Sequence, residues 1–128
     1  MNFLFSHRNF PAQFRHILIE LLKDSSNNVV FLTETKNDNY IKGVKKIYYK
    51  LKRKVPENSH RYLKQFEEAI IHGQAAAECA IALKNSGFNP DVIYAHGWGN
   101  SMFFKDIFPD TPLINYCEWY YNSKGADI

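Results

Sequence analysis

Three short runs of this chain hold side chains that can do chemistry. In SHRNFP, His7, Arg8 and Asn9 form a donor-rich trio with Phe10 beside it, just ahead of a proline-led helix, a setting suited to an anion or a sugar hydroxyl. His96 closes the run DVIYAH and is followed by Gly97, Trp98 and Gly99. The two glycines permit a tight turn and close backbone approach to a ligand, the indole can stack on a sugar face, and the imidazole can accept a proton or bind a hydroxyl. Glu118 stands among Trp119, Tyr120 and Tyr121, a carboxylate beside aromatics with polar tips, as in a carbohydrate-contacting wall. Purely structural roles compete with these: Asn9 as a helix cap with Arg8 solvated, and His96 as a capping or satisfied core residue.

Several familiar chemistries lack their parts here. SHRNFPAQF has no glycine, so it is neither a dinucleotide fingerprint nor a phosphate loop. There is no Ser-His-Asp order, GxSxG elbow, HExxH or DxD pair. Cys79 and Cys117 lie far apart without a CxxC, which excludes a zinc cluster or disulfide framework and leaves reduced core thiols as the expectation. No metal or resident cofactor is expected.

The elements that must carry these runs follow from hydrophobic periodicity. NFLFSH reads as a buried strand, and from Pro11 to about Lys23 the residues Phe14, Ile17, Leu18, Leu21 and Leu22 give a helix with one buried stripe. VVFLT (29–33) is a continuous apolar strand typical of a parallel sheet, and VKKIYYKL (44–51) a more cationic strand nearer the edge. From about Ser59 to Ser86 a helical stripe runs through Tyr62, Phe66, Ile70, Ala76, Ala77, Ala80, Ile81 and Leu83. Gly73 interrupts it, so either the helix bends there or another backbone passes close by. DVIYAH is the fourth strand, a helix spans roughly Asn100 to Phe108, and PLINYCEWYY is the last strand with its exit loop. Strand and helix thus alternate, the pattern of a doubly wound, parallel α/β sheet. Such sheets bind ligands beyond the carboxyl ends of their strands, where the three reactive runs should project together.

At 128 residues, 45% of them hydrophobic and 16% aromatic, the chain supports one domain with one ordinary core. Its longest apolar runs, such as AAAECAIAL, fall short of the ~20 residues that cross a bilayer, and the first ten residues do not resemble a secretory signal. A cytoplasmic location is therefore expected. The net charge is only +3, but six Lys and one Arg fall between Lys42 and Lys54 with no acid among them. Lysines often blunt an exposed sheet edge; the same segment could attract an anionic membrane surface, placing the protein peripherally at its inner face. Nucleic acid is not expected as a partner, since no reading element accompanies the charge.

FLFSHRNFPAQFRH, the segment from YLKQFEEAIIHGQ to NPDVIYAHGWGNSMFFKDIFPD, and INYCEWYYNSKGADI resemble, in that order, the N-terminal domain of bacterial family 4 glycosyltransferases. The lysine-rich segment fits least, and Trp119 stands where the family pattern has Phe. The resemblance implies a Rossmann-like sheet with flanking helices, the N-terminal half of a GT-B enzyme. In such enzymes this half receives the acceptor, and transfer from a nucleotide-sugar co-substrate proceeds with retention and without a bound metal. It further implies that His96 meets the reacting sugar and serves catalysis. His7 to Phe10 would line the cleft near donor phosphates or acceptor, Gly97 to Gly99 would face the sugar, and Glu118 with Tyr120 would form the acceptor side. A full enzyme would need a second domain to hold most of the nucleotide-sugar, so residues 1–128 are expected to be one acceptor-side domain, truncated, and inactive alone. The acceptor would be a glycan, a lipid-linked sugar or a small molecule. The competing reading is a stand-alone α/β module that grips a phosphorylated small molecule or a protein partner.

If the lysine segment acts by simple electrostatics, the protein should bind vesicles of anionic lipid at low ionic strength and release them in high salt, because exposed charges reach little beyond a Debye length of roughly 8 Å at physiological salt. Vesicle co-sedimentation that is unchanged by high salt would rule that origin out.

Overall fold

The computed structural model describes residues 1–118. Its centre is a parallel sheet of five strands in the order β3-β2-β1-β4-β5, built from β1 (Asn2–Ser6), β2 (Asn28–Thr33), β3 (Val44–Tyr48), β4 (Val92–His96) and β5 (Leu113–Tyr116). The winding direction reverses between β1, which pairs Phe5 with Phe31 of β2, and β4, which pairs Tyr94 with Phe5. This is the Rossmann-like α/β arrangement expected, and every strand delivers its carboxyl end to the same edge. At the opposite edge the strand starts are tied by side-chain amides and a carboxylate: Asn2 N–H donates to Asp91 Oδ2 at 2.7 Å, and Asn28 Nδ2 to Asn2 Oδ1 at 3.2 Å.

Period-two alternation along β1 and β2 sends side chains to two cores, one on each face. On one face Phe3, Phe5, Val29 and Phe31 pack under helix α1 (Arg15–Leu21) through Phe14 and Leu18. The rings of Phe31, Phe5 and Tyr94 lie nearly parallel across three strands, at 6.0 and 4.8 Å between centroids. On the other face Leu4, Val30, Leu32, Ile93 and Ala95 meet α2 (Lys64–Asn85), whose Ala75, Ala76, Ala77 and Ala80 let it lie close to the sheet.

Element boundaries moved where local geometry overrode periodicity. The helix after Pro11 begins as a 3-10 turn over Ala12–Phe14, with Ala12 in the left-handed region at φ +47°, and regular α geometry starts only at Arg15. Ile17 lies on its solvent side and is exposed. The long helix starts at Lys64, five residues later than Ser59, because hydrogen bonds from Ser59 to Pro56 and from Leu63 to His60 hold the preceding chain in turns. Tyr62 lies in those turns and is exposed, and Phe66 and Ile81 are exposed on the helix itself, so none of the three belongs to its buried stripe. The helix expected from Asn100 to Phe108 is two short ones, α3 (Gly97–Ser101) and α4 (Phe104–Ile107). Cys79 is half-buried as a core neighbour, whereas Cys117 is exposed and is not a core thiol. β3 is an edge strand, and Lys42, Lys45, Lys50, Arg53 and Lys54 are exposed along it and the following loop. Lys46 instead donates to the carbonyls of Asn37 and Asn39, and Lys52 pairs with Glu78 at 2.7 Å. Among the described residues no helix is long and apolar enough to cross a membrane.

Gly73 is explained by a passing backbone and not by a bend. α2 runs unbroken through it, and a Cβ at this position would lie 2.6 Å from the carbonyl oxygen of Gly99 in α3. Reciprocally, a Cβ on Gly99 would lie 3.1 Å from that of Ala69. Gly73→Ala gains about 1 kcal/mol of helix propensity but forces two backbones apart, which should cost about 1–3 kcal/mol. The net expectation is a lower melting temperature. A rise, as propensity alone would give, would show that α2 and α3 do not touch in this way.

Candidate functional site

Above the winding reversal lies a cavity of about 460 Å³, lined by His7, Arg8 and Asn9 after β1, Glu34 and Thr35 after β2, Ala69 and His72 of α2, and His96, Gly99 and Asn100 at the end of β4. The loop after β1 is pinned to the one after β2, because the Arg8 carbonyl accepts from the Thr33 hydroxyl at 2.9 Å and from the backbone N–H groups of Glu34 and Thr35. α3 starts directly at Gly97, whose φ of +68° lies in the left-handed region that glycine tolerates. That turn leaves His96 as the final residue of the ladder, paired with Tyr116.

The rings of His7 and His96 face each other across the reversal with centroids 4.4 Å apart. His7 Nδ1 accepts the Asn9 N–H at 2.8 Å, so in the neutral ring the hydrogen sits on Nε2. Burial, seconded by the nearby His96, lowers the His7 pKa from 6.5 to about 4, so this ring is neutral at physiological pH. His96 Nε2 is buried without a hydrogen bond and lies 3.3 Å from Glu118 Oε1. Glu118 also accepts from Gln13 Nε2, and Tyr116 stacks on the His96 ring at 5.8 Å. The pair can therefore donate to, or accept from, a hydroxyl placed above it.

A second cluster adjoins the first. Arg8 donates to Glu68 Oε1 at 2.9 Å and lies 3.6 Å from Glu34 Oε2, so the guanidinium already serves two carboxylates. Beneath it His72 is 2% exposed, and its ring nitrogens stand 3.6 Å from Glu34 and 3.8 Å from Glu68, both beyond hydrogen-bond length. Burial and the Arg8 charge lower the His72 pKa against the pull of the two carboxylates. Deeper still, the Tyr49 hydroxyl donates to Asn100 Oδ1 at 3.4 Å, and burial raises its pKa.

Of the residues singled out in the sequence, His7, Arg8, Asn9, His96 and Gly99 line the cavity. Glu118 reaches its rim through His96. Asn9 makes no side-chain cap to either the 3-10 turn or α1. Phe10 does not face a ligand: it is a core side chain, edge-on to Phe31 at 4.9 Å with Lys46 Nζ 4.8 Å from its ring centre. Trp98 turns away from the cavity and stacks on Phe66 of α2 at 5.5 Å. Gly97 serves the turn and Gly99 the helix contact. Tyr120 lies outside the described residues. Glu34, Thr35, Glu68, His72 and Asn100 were not singled out as site residues in the sequence. His72 alone left a trace, as the one titratable residue in the buried face of α2 between Ile71 and the alanines. Among the described residues no three His, Cys, Asp or Glu side chains converge as a metal site.

A family model described as "Glycosyl transferase family 4 group" matches residues 25–128, most of the chain, including His96 and its following turn. No curated protein and no solved structure matches at a significant level. With that coverage, and with the parallel sheet and its carboxyl-edge cavity, the chain belongs to the glycosyl transferase family 4 group.

Proposed function

We propose that this chain is the acceptor-side domain of a retaining glycosyltransferase that uses a nucleotide-sugar and transfers its sugar to a hydroxyl held over His7 and His96. The observation that carries the proposal is the facing imidazole pair at the ends of β1 and β4, 4.4 Å apart and opening into a 460 Å³ cavity. Sheets of this winding bind ligands at that point, and the volume falls within the range of small-molecule sites. The donor would be held mainly by a separate domain facing this edge. His7, neutral with its N–H on Nε2, donates a hydrogen bond without adding charge. His96, backed by Glu118, orients a sugar hydroxyl and is the residue closest to catalysis. A module that grips a phosphorylated ligand through Arg8 is less well supported, because that guanidinium is already engaged by Glu34 and Glu68.

In the intact enzyme His96→Ala should lower turnover about a hundredfold, the scale of a lost proton-handling or orienting group, while the melting temperature stays close to that of the wild type. Normal turnover in a well-folded variant would return His96 to a packing role.

Acidity supplies a separate check. His7 binds fewer protons folded than unfolded between its ordinary pKa of 6.5 and its folded value of about 4, so its contribution to stability is complete above 6.5 and is lost as pH falls through that window. The lowered His72 pKa acts with the same sign. Melting temperature should therefore fall on acidification from pH 7 towards 4, and His7→Gln should flatten part of that slope. A wild-type melting temperature that holds constant across the window would mean the buried rings are not held neutral.

A further inference from the structure

The lysine-rich run leaves a surplus of positive charge that neither the sheet edge nor the cavity over His7 and His96 uses. β3 ends at Tyr48, so Arg53 and Lys54 stand past the ladder and do not guard its edge. The turns closed by bonds from the Ser59 N–H to the Pro56 carbonyl and from the Leu63 N–H to the His60 carbonyl then fold the chain back. They bring Lys64, the first residue of α2, to the same cavity as Arg53 and Lys54, a volume of about 350 Å³. All three cations are exposed, and among the described residues none of them makes an ion pair or a side-chain hydrogen bond. Lys52, next in sequence, is by contrast held by Glu78, and Lys46 by two backbone carbonyls. Two acids share the lining, with unequal effect. Glu68 already accepts from Arg8 at 2.9 Å, so its charge is balanced from the other side, and one free carboxylate, Glu57, stands against three cations. The remaining wall is apolar, with Leu51 and Val55 from the loop and the buried Ile71 from α2. Apolar walls focus the field of the cations above them and sharpen their mutual repulsion, and both effects favour a multiply charged anion among them.

We propose that Arg53, Lys54 and Lys64 form a binding site for a phosphate monoester or diphosphate group, distinct from the cavity over His7 and His96. A phosphate monoester carries a charge of about −1.5 to −2 at neutral pH and three acceptor oxygens, which a single carboxylate does not match. The guanidinium can take two of those oxygens in a fork, and the two ammonium groups act on the rest as point charges. The two cavities adjoin: Glu68 lines this one, Arg8 lines the other, and the bond between them forms the shared wall. The site does not depend on what the histidine pair does, since none of its three cations comes from that cavity.

The test is an NMR titration of the isotope-labelled protein with inorganic pyrophosphate at fixed ionic strength, following the backbone amides of segments 51–57 and 64–71. Pyrophosphate should shift these resonances saturably. Lys64→Gln and Arg53→Gln, each with an unchanged melting temperature, should weaken binding about fivefold or more. Lys45→Gln removes the same charge from the strand edge and should change it less than about twofold. Equal weakening by all three substitutions would overturn the proposal, because it would show diffuse attraction and no site. So would amides of 51–57 and 64–71 that stay still while those of His7, Arg8 and His96 move, which places the phosphate in the other cavity. Vesicles separate the two sources of the group: phosphatidic acid offers a monoester headgroup, and phosphatidylglycerol at equal surface charge offers only a diester. Preference for phosphatidic acid that Lys64→Gln abolishes assigns the site to a lipid headgroup, and saturable pyrophosphate binding without that preference assigns it to a soluble phosphate. Absence of both would overturn the site.

Discussion

Two helices in this domain come backbone to backbone at Gly73 of α2 and Gly99 of α3. The carbonyl of Gly99 occupies the space that a Cβ at position 73 would need, and Ala69 presses in the same way on Gly99. Because α2 can lie this close, α3 can begin at Gly97 with no intervening loop, and the chain leaves β4 in a single left-handed step. His96 then remains in the sheet ladder, with its direction fixed by pairing to Tyr116, and is not carried off on a flexible turn. The opposed His7 is fixed in a similar manner, its own N–H bonded to Leu32 O at 3.1 Å. A pair of imidazoles built on strand ends is held more tightly than loops could hold it.

Burial and charge oppose each other at the two sheltered histidines, and burial wins at both. Around His72 two carboxylates favour the imidazolium, yet Arg8 offsets much of their field and the ring is nearly enclosed. At an effective dielectric near 20, one charge at 4 Å is worth about 4 kcal/mol, so a cation that neutralises part of a carboxylate pair removes most of what would have kept the ring charged. The cleft is therefore lined mainly by uncharged polar groups, with Arg8 and Glu34 as the charged residues of its lining.

Much of this was readable from the chain, in proportion to how local the cause was. VVFLT and VIYA are apolar because both faces of their strands are covered, so the strands, their parallel direction and the shared carboxyl edge follow from composition and spacing. His7 and His96 were legible for the same reason, each standing where an apolar strand stops. Helix starts were less so: nothing in HRYL announces the turns that delay α2, and an alanine at φ +47° gives no sign in the sequence of the 3-10 turn it begins. Phe10 and Trp98 lie outside the cavity lining, since an aromatic beside a reactive run can equally well turn inward to a core or sideways to a helix. Glu68 and His72 stand one turn apart on α2, but Glu34 comes from the distant loop after β2, and only the tertiary fold brings it to them.

All five strands point the same way, which divides the molecule into a working edge and a silent one. The silent edge carries the strand starts, where Asn2, Asn28 and Asp91 bond one another, and the turns at Asp24–Asn27 and Asn89–Asp91 beside them. Affinity tags, dyes or linkers to a solid support can be joined at those turns without standing between a ligand and the histidines. A surface-tethered form of the domain would then present its cleft outward in one orientation, a practical handle that a fold with strands running both ways would not offer.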